Sequence, residues 1–113
     1  MKNLVAKLEV VALRESGERL ELRAEIGRPR AERDGRWACS IAVAPLKTKL
    51  EDLRGTDSFH AIWLSCVLVL KLLDNLKAEG WRLENADGSE FPLEEYRKGL
   101  APGPDPKAGF APR

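Results

Sequence analysis

The sequence predicts an α+β fold of two layers, an antiparallel sheet of four to five strands packed on one long helix. Apolar residues alternate with polar or charged ones over Leu4–Ala12 and again over Leu20–Ile26, the period of half-buried strands. A helical apolar period then runs from a capping pair, Asp57 and Ser58, to a helix-ending glycine, Gly80. About 22 residues separate these signals, enough for a helix of roughly 33 Å.

The chain has 113 residues, 43% of them hydrophobic and 33% charged, which fits one globular domain with one core. Residues 1–100 are expected to form that domain, and the Pro- and Gly-rich stretch 101–113 to be a flexible tail. A net charge of +1 argues against a dedicated nucleic-acid binder, which carries a strongly basic face. Met1-Lys2-Asn3-Leu4 passes directly into a strand pattern with no signal-peptide core, so a cytoplasmic site is expected. The apolar run Ala61–Leu70 is interrupted by Ser65 and closed by Lys71, short of the ~20 residues that cross a bilayer, and reads as a core helix.

In the first strand Leu4, Ala6, Leu8, Val10 and Ala12 share the face toward the core, with Lys7 and Glu9 opposite. Val5, Val11 and Leu13 also lie on that opposite face, so part of it is expected to be covered. Glu15-Ser16-Gly17-Glu18 turns the chain into a second strand, where Leu20, Leu22, Ala24 and Ile26 alternate with Arg19, Glu21, Arg23 and Glu25. Gly27–Arg36 lacks apolar periodicity and reads as a loop. Its arginines, Arg28, Arg30, Arg33 and Arg36, suit bidentate contacts to carboxylate or phosphate. Trp37–Val43 is a third strand with Trp37, Cys39, Ile41 and Val43 on one face, and Pro45 ends it. A short fourth strand is expected near Leu50, within the ambiguous stretch Leu46–Arg54.

Stepping 100° per residue along the helix puts Phe59, Ile62, Cys66, Val69, Leu70, Leu73 and Leu76 on one stripe toward the sheet. Leu64, Val67 and Leu68 then face outward with Trp63 at the margin, and contiguous apolar residues of this kind need a cover. Either the segment after the helix folds back over them or another chain does. Beyond Gly80, Trp81–Asn85 alternates as a strand, Ala86–Ser89 is a turn, and a short helix spans Leu93–Lys98.

Trp37-x-Cys39 and Gly55-x-Asp57-Ser58-x-x-Ala61 before a Leu-rich helix resemble a family of small bacterial proteins catalogued as a domain of unknown function. The resemblance covers roughly residues 20 to 80 and implies a fold, not an activity. Where that family carries Gln, this chain carries His60.

Asp57, Ser58 and His60 have the residue types of an acyl-transfer triad, but neighbours at a helix start point in different directions, which favours helix capping. His60 is the only histidine, and Cys39 and Cys66 lack the paired spacing of a zinc site, so no metal is expected. The two cysteines read as buried reduced thiols, with a disulfide between them the alternative. Gly55 and Gly80 belong to no phosphate-cradling run, and no cofactor is expected.

These features favour a non-catalytic protein-binding module, in its sharpest form a bacterial immunity-type protein that neutralises a toxin domain by direct binding. Trp63, Leu64, Val67 and Leu68 would form the apolar centre, Arg28, Arg30, Arg33 and Arg36 the rim, and the same patch would equally serve a homodimer. The alternatives are a ligand- or nucleotide-binding accessory domain using the arginine loop, or a small enzyme using Cys39, Cys66 or His60.

Overall fold

The computed structural model describes residues 3–46 and 50–98. The expected tail, 101–113, lies outside them, as do 47–49. In order the chain forms β1 (Leu4–Leu13), β2 (Arg19–Gly27), β3 (Arg30–Ala31), β4 (Trp37–Cys39), β5 (Ile41–Ala44), β6 (Leu53–Gly55), α1 (Ser58–Ala78), β7 (Arg82–Glu84) and α2 (Leu93–Arg97).

The strands form two antiparallel sheets rather than one. The first has the order β5-β2-β1-β7 and the second β3-β4-β6. The hairpin between β1 and β2 forms as the alternation predicts, with Lys7 opposite Glu25, Glu9 opposite Arg23 and Val10 opposite Leu22. The division arises in the next hairpin, which bends once in each arm. On one arm Pro29 has no N–H to continue the ladder. On the other, Ser40 separates β4 from β5 while its carbonyl accepts from the Gly27 N–H at 2.8 Å. The expected third strand is therefore one run of chain serving both sheets.

Two further expectations shift. The loop Gly27–Arg36 contains β3 and a tight turn, in which Glu32 N–H donates to the Arg36 carbonyl at 2.8 Å. The fourth strand forms at Leu53–Gly55 instead of near Leu50, which packs half-buried against the core. Trp37 stands opposite Gly55 in this pairing.

Helix α1 packs on both sheets and buries Ala61, Ser65, Val69, Leu70, Leu73 and Leu76. In its C-terminal half this is the expected stripe. In the N-terminal half it holds only in part: Ile62 and Cys66 pack half-buried against the core, but Phe59 is 79% exposed. The physical reason is the approach of β6. A Cβ on Gly55 would sit 2.5 Å from the Ala61 backbone nitrogen, so strand and helix backbones all but touch. Only small side chains fit on that side, and Ala61 and Ser65 take it while Phe59 turns outward. At the far end the Gly80 N–H donates to the Lys77 carbonyl and Trp81 N–H to Leu76, both at 3.0 Å. With Gly80 at φ 96°, this is the left-handed stop the sequence signals. By length and composition α1 would also cross a membrane, though here a third of its apolar window is buried inside the fold.

The remaining chain closes the C-terminal half of the helix. Phe91 and Leu93 are buried, Phe91 stacks on Tyr96 at 5.1 Å, and Arg97 pairs with Asp74 of α1. Trp81 is buried beneath the Arg14 guanidinium, 4.3 Å from the ring centroid. This segment meets α1 near Asp74 and does not cover Phe59 or Trp63, both of which stay exposed.

Denaturant unfolding checks these assignments. Leu73→Ala is expected to cost about 2–5 kcal/mol through the cavity it leaves. Gly55→Ala should cost about 1–3 kcal/mol by overpacking the helix crossing. Phe59→Ala should stay within about 0.5 kcal/mol of the parent; a loss there as large as at Leu73 would refute the outward placement.

Candidate partner-binding surface

The start of α1 is built by reciprocal capping. Asp57 is the N-cap, and its Oδ1 accepts from the His60 N–H at 2.7 Å. His60 Nδ1 reaches back to accept from the Thr56 N–H at 3.0 Å. This is the logic of a capping box, with imidazole in the place usually held by Glu or Gln. Asp57 and His60 are thus occupied by backbone, and the triad residue types do not assemble into a relay.

The loop arginines are not equivalent. Arg30 pairs with Asp52 and donates weakly to Ser40 Oγ at 3.4 Å. A fifth arginine, Arg54 on β6, holds Glu32 at 2.7 Å, and that carboxylate keeps its guanidinium more firmly protonated than usual. Arg28, Arg33 and Arg36 are exposed and have no acidic partner within 4 Å among the described residues. Because Trp37 stands opposite Gly55, the register carries Arg36 alongside Thr56, next to the helix cap. The four-arginine rim expected from sequence therefore reduces here to Arg33 and Arg36 at the turn, with Arg28 further back.

The apolar centre also moves. Leu68 packs half-buried against the core instead of facing out, and Leu64 and Val67 are half-buried as well. Trp63 remains as expected, 41% exposed. Its exposed neighbour is Phe59, one turn earlier, which the sequence pattern assigns to the sheet side. A strict 100° step could not find it, because the deciding fact is how closely a glycine lets β6 approach.

Cys39 and Cys66 are free thiols. Cys39 is fully buried, and burial pushes its pKa up. Cys66 is only half-buried, contrary to the expectation for both, and burial raises its pKa too. Neither environment favours the thiolate that a nucleophile needs. Cys66 lines an apolar groove of about 220 Å³ with Leu8, Val69, Leu70 and Tyr96.

A second hollow, of about 480 Å³, lies on the outer face of the first sheet around Val11. Glu9, Arg19, Glu21 and Arg23 line it, and Arg19 is held by Glu21 at 3.2 Å. Its charges compensate one another and converge on no single ligand group. Among the described residues no three His, Cys, Asp or Glu side chains gather as a metal ion would require. No family model, curated protein or solved structure matches the chain.

Two measurements check this site. Asp57→Ala is expected to lower stability by about 0.5–2 kcal/mol, and His60→Gln should retain more stability than His60→Ala. Thiol labelling of the native protein should modify Cys66 slowly and Cys39 only on unfolding. Because both thiol pKa values are raised on folding, their contribution to stability is fully present below the ordinary value of 9.0 and is lost as pH rises past it. Fast native labelling of Cys39 would contradict its burial.

Proposed function

We propose that the chain is a non-catalytic protein-binding module that acts by occupying a partner's surface, and that it is of the immunity type. The supporting observation is Phe59, 79% exposed, with Trp63 one turn on, at the capped end of a helix whose other face is buried. Large aromatic side chains at the centre of a patch with arginine at its border are the usual energetic anchors of protein interfaces. Arg33 and Arg36 beside this end, together with the positive pole of the helix, favour a partner surface with an acidic rim.

The alternatives draw less support. An anion-binding arginine loop would need converging guanidinium groups, yet Arg30 is held by Asp52, and neighbouring Arg54 by Glu32. Catalysis by Cys39, Cys66 or His60 would need a free base or a lowered thiol pKa.

Capture from a native lysate, followed by calorimetry with the identified protein, tests the proposal. Phe59→Glu and Trp63→Glu should each weaken the complex by about 2 kcal/mol or more while leaving thermal unfolding unchanged. Arg33→Glu with Arg36→Glu should slow association and flatten its salt dependence. The immunity form requires the captured protein to be toxic alone and harmless when co-expressed with this chain. Unchanged affinity in both aromatic variants would defeat the reading.

A further inference from the structure

One edge of β1 is only partly paired. β7 covers Val11–Leu13, and on the opposite edge the ladder with β2 shifts register between Leu4 and Ala6. Among the described residues, Leu4–Val10 therefore has no strand on its other side, and Ala6–Val10 is the part of it that stays in regular register with β2. Two hydrogen bonds fix which backbone groups face that gap. Gly27 N–H donates to Ser40 of the β5 arm, so alternate residues of β2, Ile26, Ala24 and Leu22, turn toward β1. The Leu83 carbonyl, opposite Ala12, accepts from Phe91 and so points away from β1. Both observations set the same phase: Ala6, Leu8 and Val10 bond toward β2, and the N–H and C=O groups of Lys7 and Glu9 point into the open edge.

We propose that this edge pairs with the same edge of a second copy, joining the two four-stranded sheets about a two-fold axis at Leu8. The regular run Ala6–Val10 has Leu8 at its midpoint, so this axis uses all of that run and stops short of β7 on both sides. The same axis sets Lys7 of each copy opposite Glu9 of the other. Moving it one residue either way would set Lys7 against Lys7 or Glu9 against Glu9. Geometry and charge thus select one register independently. Within a copy Lys7 Nζ already lies 3.2 Å from Glu9 Oε1, with both side chains more than half exposed, so the four groups complete a square of alternating sign. On the core side, the axis brings the second copy's Leu8 to the mouth of the groove formed by Leu8, Leu70 and Tyr96. A regular unpaired edge is a template for another strand, and here the strand whose charges complement it is its own.

Sedimentation of the full chain across a concentration series tests the proposal, with circular dichroism confirming the fold of each variant. The parent should sediment as a dimer. Lys7→Glu should weaken dimerisation about tenfold or more by setting like charges together at both symmetric positions. The double variant Lys7→Glu, Glu9→Lys should recover most of that loss. Glu9→Pro removes an outward N–H without touching the β1–β2 ladder and should abolish the dimer while the monomer stays folded. A parent that stays monomeric throughout the series overturns the proposal, as does a dimer indifferent to Lys7→Glu and Glu9→Pro. A chain that dimerises only after removal of residues 99–113 would show that its own C-terminus occupies the edge, and would equally overturn it.

Discussion

The near-contact of β6 with the first turns of α1 governs the arrangement. Gly55 contributes no side chain, and that absence lets the strand backbone lie against the backbone at His60 and Ala61. Close approach of two backbones excludes large side chains between them, so the helix presents Ala61 and Ser65 inward. Ser65 sits fully buried without cost in unsatisfied polarity, since its hydroxyl donates to the Ala61 carbonyl at 2.9 Å. Phe59 and Trp63, the bulkiest residues of those turns, are left exposed. What looks like a binding surface is thus the reverse side of a packing constraint.

The same crossing explains why the short motif at the helix start is dense in particular residue types. Gly55 sets the approach, Asp57 caps the free N–H groups, and His60 returns a bond to Thr56. Each role is local and steric or hydrogen-bonding in nature. A cluster of Asp, Ser and His beside a buried glycine can be fully employed in starting a helix.

Much of the fold was legible from residue order. Period-two alternation located β1 and β2, and glycine and cap chemistry located both ends of α1 to within a residue or two. The division into two sheets was not legible, because alternation continues through Trp37–Val43 while the bend at Ser40 depends on the partner arm and Pro29. The position of β6 was hidden for a related reason: the three residues Leu53–Gly55 carry no alternation to detect. Of the surface residues, Trp63 was placed from the pattern and Phe59 was not, since periodicity reports a helix face but not which part of it a neighbour reaches. The arginines were visible as a group. Their division into paired and unpaired members required the positions of Asp52 and Glu32, which sequence spacing does not give.

The run Trp37–Ala44 belongs to both sheets, hydrogen-bonding to β3 and β6 through its first half and to β2 through its second. Neither sheet owns a complete set of strands without it. Disruption of one sheet loosens the strand that anchors the other, so the stabilities of the two are coupled although they are geometrically separate. A force pulling on the arginine turn would load this run first and would be felt in the hydrogen bonds beside β1. The arginine turn and the first sheet are, in mechanical terms, the two ends of one lever whose fulcrum is Ser40.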